Sequence, residues 1–222
     1  MRFCWFGVFG GAGATDEEVS GVSRVFGGVA GVSRAVIHTP ARTHDPYLDD
    51  GAPPGLVLQV YFQEVSDMEG GLSPNGGMQD LVGVLGRFSE VTQQAMVVRG
   101  FPVPDPVFHG EGACTYLVSY EGPAANLNKW MWHYLQHHPP IMARFPGIRE
   151  IEVASGMDWC GFLPWPRIAY MQRNKVVFDD QDGLTAALNS PVRHEMRGDF
   201  KGFPEFSGVN THYPMNSRYL RF

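Results

Sequence analysis

Cysteine is scarce in this chain, cationic runs are missing, and no long apolar stretch occurs. The three cysteines, Cys4, Cys114 and Cys160, are too scattered for a disulfide framework or a CxxC metal knuckle. Reduced, buried thiols are the expectation. A net charge of -6 without a dense Lys/Arg cluster lacks the electrostatic footprint that phosphate backbones and anionic lipid require. Neither nucleic acid nor a membrane is expected as a partner. No apolar run approaches the roughly 20 residues that span a bilayer. Met1-Arg2-Phe3-Cys4 opens into strand-like sequence rather than a cleavable leader. The expected location is the cytoplasm.

Several catalytic signatures are missing too. There is no Walker lysine, no G-x-S-x-G nucleophile elbow and no HExxH. One glycine run, Gly10-Gly11-Ala12-Gly13, invites a dinucleotide. In G-x-G-x-x-G register from Gly11, however, the third glycine falls on Asp16, and Asp16-Glu17-Glu18 would repel phosphate at the helix start. The run reads as a turn, and no cofactor is expected.

What is present is a chain of 222 residues, 44% hydrophobic and 18% charged, which suits an ordinary globular protein with a sizeable core. Residues 2–9 form a buried-strand pattern, and Thr15 caps a helix whose first turn is acidic. That helix is expected to about Phe26, followed by strands over residues 32–39 and 56–62, a weak helix over 78–85 and a strand over 92–101. After a Pro/Gly-rich linker the order repeats: a strand over 113–120, a strong helix over 126–145, strands over 148–154 and 167–178, a helix over 182–200 and a strand near 209–213. Cys4-x-Phe6-x-Val8 aligns with Cys114-x-Tyr116-x-Val118, and Gly31-Val32 with Gly147-Ile148. This predicts an α+β fold of two tandem βαββαβ repeats, residues 1–104 and 112–222. Each sheet has an apolar second face, and packing the two face to face would cover both.

The stretch richest in chemistry is Trp130 to Gly147. On a helix, Leu127, Trp130, Met131, Tyr134, Leu135 and His138 form one stripe, so His138 ends the buried face just before Pro139-Pro140. An imidazole there can meet a substrate in an apolar cleft, or it can be a core histidine bonded to a carbonyl freed by the prolines. His133 and His137 stand four residues apart, but a metal needs a third ligand and no carboxylate cluster accompanies them. No metal is expected. The loop from Met157 to Pro166, with Trp159 and Trp165, suits a pocket lid or an interface.

His133-Tyr134-x-x-x-His138-x-Pro140-Ile141, then Pro146-Gly147-Ile148, resembles the helix motif of the EthD-like family of the dimeric α+β barrel (ferredoxin-like) superfamily. Leu188-Asn189-Ser190-Pro191 and Asp199-Phe200 resemble that family's second-helix elements, so the resemblance covers residues 113–213. Tyr134 stands where the family often has Trp, and the N-terminal half has Ser20, Ser23 and Arg24 on its helix instead of the histidine motif. The resemblance implies that the sheets of two ferredoxin-like units build an α+β barrel, with a cleft between sheet and helix. It further implies a cofactor-free enzyme of lyase, isomerase or dehydratase type, acting on an aromatic, polyketide or related intermediate in small-molecule catabolism. In that reading His138 is the acid/base and His133 its partner, with Trp130, Tyr134, Tyr116, Tyr170 and Trp159 shaping a pocket for a hydrophobic, oxygenated small molecule. A non-catalytic binding or accessory protein and an ester or lactone hydrolase stay open as alternatives, and so does a homodimer.

Overall fold

The structure is a computed structural model that describes residues 2–108 and 112–222; Met1 and linker residues 109–111 lie outside the described residues. The first half runs β1 (Arg2–Phe9), α1 (Asp16–Gly28), β2 (Val32–Pro40), β3 (Leu56–Phe62), α2 (Val65–Gly71), a 3-10 turn (Gly77–Gln79), α3 (Asp80–Val84) and β4 (Val91–Phe101). The second half runs β5 (Ala113–Tyr120), α4 (Leu127–Met142), β6 (Glu150–Gly156), β7 (Gln172–Phe178), α5 (Gln181–Leu188), α6 (Pro191–Phe200) and β8 (Asn210–Arg221).

Local chemistry explains most of these boundaries. Thr15 and Glu18 close a reciprocal capping box at the start of α1. The helix expected over 182–200 is two helices, because Pro191 lacks the N–H that would continue α5 and instead sits in the first turn of α6. Strand β7 begins at Gln172 rather than at residue 167, and β8 extends well past residue 213 to Arg221. Helix α2, with two glycines at its end, carries too weak a pattern to have been expected.

Each half orders its strands alike: β4-β1-β3-β2 in the first and β8-β5-β7-β6 in the second, all antiparallel. The halves do not stack face to face. Strand β2 pairs with β8 and β4 with β6, so the two sheets join edge to edge into one closed eight-stranded barrel. Every strand edge is thereby used within one chain.

Side chains alternate between the inside of this barrel and the helices packed outside it. Trp5 and Phe9 pack under α1 with Val22 and Phe26, while Cys4 and Phe6 point inward to meet Met96, Leu117 and Met215. In β5 the phase is opposite, with Cys114, Tyr116, Val118 and Tyr120 facing the helices and Leu117 facing inward. The alignment of Cys4 with Cys114 is therefore corrected: the two strands correspond, but the register is off by one residue, which exchanges the faces.

Part of the barrel interior is ionic. Glu152 accepts from Arg34 at 2.6 Å and from the Tyr61 hydroxyl at 2.6 Å, with Arg2 at 3.1 Å and Lys175 at 3.3 Å. Glu150 meets Arg34 at 2.8 Å and Lys175 at 3.1 Å. Burial alone would raise the Glu150 carboxyl, but the charges of Lys175 and Arg34 hold it far below the usual range. Further along, buried His38 is bonded through Nδ1 to Ser217 and through Nε2 to Gln59, both at 2.7 Å.

Candidate active site

Helix α4 starts where Asn126 accepts a hydrogen bond from the Lys129 N–H at 3.0 Å. It passes through Pro139 and Pro140 to Met142, although those prolines remove the donors that would reach the carbonyls of Leu135 and Gln136. Its buried stripe is Trp130, Tyr134, His138 and Met142, whereas Leu127 is exposed. The i, i+4 spacing sets these rings one above another on the sheet-facing side.

His138 is buried, and its Nδ1 lies 2.6 Å from Oδ2 of Asp199 at the end of α6. Burial lowers the His138 pKa and the Asp199 contact offsets this only in part, so the ring is neutral near pH 7. For Asp199, burial works upward, but hydrogen bonding to His138 and the nearby histidines draw its carboxyl below its ordinary value. With Nδ1 held by a carboxylate, the neutral ring carries its proton there and presents Nε2 as a base. His133 lies beside the same carboxylate, its Nε2 3.4 Å from Asp199 Oδ1 but out of hydrogen-bond alignment.

The ring of His138 lines a narrow cavity between the sheet and helices α4, α5 and α6, with Tyr116, Met142, Val176, Phe178 and Leu184 among its apolar walls. Leu48 of the other half also lines the cavity, and acidic residues of its loop hold three of the polar lining residues, Tyr116, Arg193 and His212, from behind. Asp45, in the loop between β2 and β3, accepts from Arg193 at 2.7 and 3.0 Å and from the Tyr116 hydroxyl at 2.8 Å. Asp50 in the same loop accepts from the His212 backbone N–H at 2.8 Å and lies 3.0 Å from Nδ1 of its ring. The water-accessible space is only about 50 Å³, enough for a few waters. A ligand of ordinary size needs a wall to move; α6 carries Arg193, Met196, Arg197 and Phe200 into the lining.

The other expected site residues scatter. Tyr116 lines the cavity with His138. Tyr134 packs against His138 in a tilted contact at 4.8 Å between ring centres and is bonded to Asn174, so it supports the imidazole. Trp130 is sealed in the core against Tyr120, Tyr134 and Phe203, with an indole N–H that has no partner among the described residues. Tyr170 lies inside the opposite face of the sheet, at a different cavity. Trp159 packs against the core of the N-terminal half, with Arg167 stacked 4.0 Å over its ring. The rings of His133 and His137 lie 4.7 Å apart in a tilted contact, and no group of three or more metal-ligating side chains occurs among the described residues. In the sequence Asp199 stands out only as part of a motif, and Asp45, Asp50, Arg193 and His212 carry no local signal, since their pairing spans more than half the chain.

No protein-family model and no curated protein matches the chain. Solved structures do: an anthrone oxidase-like protein superposes with a TM-score of 0.66 at 12% identity, over 99% of this chain and 93% of that one. A monooxygenase-like protein from Fusobacterium nucleatum gives a TM-score of 0.63 at 9% identity, over 99% and 94% of the two chains. The likeness is one of fold. Both matches run through both halves, so the single-chain α+β barrel is shared as a whole. An EthD family protein from Bacillus halodurans matches 45% of this chain and 96% of its own at 18% identity, with a TM-score of 0.36 that adds no argument.

Proposed function

We propose that this protein is a cofactor-independent enzyme of small-molecule metabolism, of lyase or isomerase type, in which His138 moves a proton on an oxygenated, largely apolar substrate. The observation that carries this reading is the 2.6 Å contact of His138 Nδ1 with Asp199, made by a ring that also lines the cavity. A carboxylate that fixes the tautomer leaves Nε2 to take a proton from an acidic C–H or O–H and return it at another atom, with no change of oxidation state. Arg193 supplies a donor in the same lining, Tyr116 a hydroxyl oxygen that can accept, and the mostly apolar wall limits the water that competes for the proton.

A binding role without turnover is the second reading, favoured by the small size of the closed cavity. The two separate in one experiment. Enolisable aromatic ketones and lactones are incubated with protein in D₂O and followed by NMR. Enzyme-catalysed exchange at one carbon, lost in His138→Gln, supports the acid/base reading. Compounds that bind the wild type and His138→Gln equally, with exchange in neither, replace it with the binder.

A further inference from the structure

A second cavity, of about 410 Å³, opens at one end of the barrel interior and is distinct from the one beside His138. Strand β8 shows the separation: Asn210 and His212 line the helix-side cavity, whereas Thr211 and Tyr213 line this one, on the other face of the sheet. Its walls are Phe6, Val8, Val57 and Leu117 from the strands, with Pro53 and Pro54 from the loop before β3.

Arg173 lines this cavity and is buried, yet no carboxylate among the described residues pairs with it. Its one hydrogen bond goes from Nη1 to Ser119 Oγ at 2.7 Å, and its Nε–H has no partner among the described residues. The guanidinium is held between the ring of Tyr170, at 4.6 Å, and that of Phe6, at 5.5 Å. Glu90 also lines the cavity, but it is exposed and makes no ion pair with Arg173. The other buried cations among the described residues are matched, Lys175 by Glu150 and Glu152 and Arg193 by Asp45, as is half-buried Arg34 by Glu150 and Glu152. A buried charge without a counter-charge is costly, and burial brings the Arg173 pKa down to about 10.

We propose that this mouth of the barrel binds a small carboxylate with an aromatic or alicyclic body, its carboxylate on Arg173 and its ring among Phe6, Val57 and Leu117. The guanidinium fork matches a planar carboxylate, and a single cation suits a monoanion better than a dianionic phosphate. The cavity volume fits a ligand at the lower end of the usual small-molecule range.

Calorimetric titration with benzoate, its neutral isostere benzamide and inorganic phosphate tests the assignment. Benzoate is expected to bind the wild type at least about tenfold more tightly than either benzamide or phosphate. Arg173→Gln should lose about tenfold or more in benzoate affinity, Arg173→Lys should lose less, and His138→Gln should leave binding unchanged, which keeps this site separate from the proposed acid/base chemistry. Arg173→Met should raise the melting temperature of the ligand-free protein, because it removes an unmatched buried charge. The proposal is overturned by equal benzoate affinity in Arg173→Gln and wild type, by benzamide or phosphate binding as tightly as benzoate, or by no saturable benzoate binding up to about 10 mM.

Discussion

Asp199 Oδ2 sits 2.6 Å from His138 Nδ1, tying the end of α6 to the proline-bearing turn of α4. The contact joins two segments 61 positions apart that both belong to the motif resembling the EthD-like family. If it orients a base, its loss should harm proton transfer more than folding. Asp199→Asn keeps the shape but can stabilise the wrong tautomer; His138→Gln removes the proton acceptor. Each should lower turnover by about 10²–10⁴ once a substrate is in hand. The urea midpoint should shift far less. A variant that unfolds in proportion to its lost activity would show a merely structural pair.

Acid should weaken the fold earlier than its carboxylates alone would dictate. Burial, reinforced by the charge of Lys175, lowers the pKa of His38 to about 3, and burial also lowers that of His138. Both lie below the unfolded value of about 6.5. Their stabilising effect is therefore complete above about pH 6.5 and is lost as the pH falls toward the folded values, because the unfolded chain takes up the protons first. Between about pH 6.5 and 4.5, His38 should cost up to about 1.4 kcal/mol per pH unit, with His138 adding in the same direction. Urea unfolding at the two ends of that window, compared between wild type and His38→Gln, checks this. An equal loss in both would exclude His38 as the source.

The loop between β2 and β3 should depend on one buried ion pair. Asp45 is the sole carboxylate paired with buried Arg193 among the described residues. Asp45→Ala should destabilise by about 3–5 kcal/mol by leaving Arg193 buried and unmatched. Adding Arg193→Met should recover much of that loss. Denaturant midpoints measure both, and limited proteolysis within residues 41–54 should report the freed loop in the single variant only.

The seam between the halves makes a similar demand. Glu152 on β6 is buried inside the barrel and meets Arg34 on β2, so it links strands from different repeats. Glu152→Gln should cost about 3–5 kcal/mol, since Arg34 and Lys175 would be left with Glu150 alone and Arg2 would lose its ion pair. A loss below about 1 kcal/mol would mean that water reaches these cations.

Much of the architecture was legible because strands such as Leu56–Phe62 and Ala113–Tyr120 are short runs rich in apolar, β-branched and aromatic residues, each preceded by glycine. The tandem order followed from them, as did the capped start of α1. The phase of each strand was not legible, since a strand buried on both faces has no alternation to reveal which side meets the helices. That is why Cys4 and Cys114 were set in register although they face opposite sides. The place of His138 on the buried face of α4 was readable from helical periodicity, but Asp45 and Arg193 meet only after the barrel closes. Tyr170 and Trp159, aromatic and near a Pro/Gly-rich loop, looked like neighbours of His138 and belong to other parts of the molecule.

Closure of the barrel by the β2–β8 and β4–β6 pairs means that neither repeat could be released as a free-standing piece. A fragment ending in the linker after β4 would expose the edges of β2 and β4, and its counterpart those of β6 and β8, each an invitation to add a strand. Separated fragments should therefore recombine with each other, or each pair with a copy of itself, and the tether between them acts chiefly by raising the concentration at which the correct edges meet.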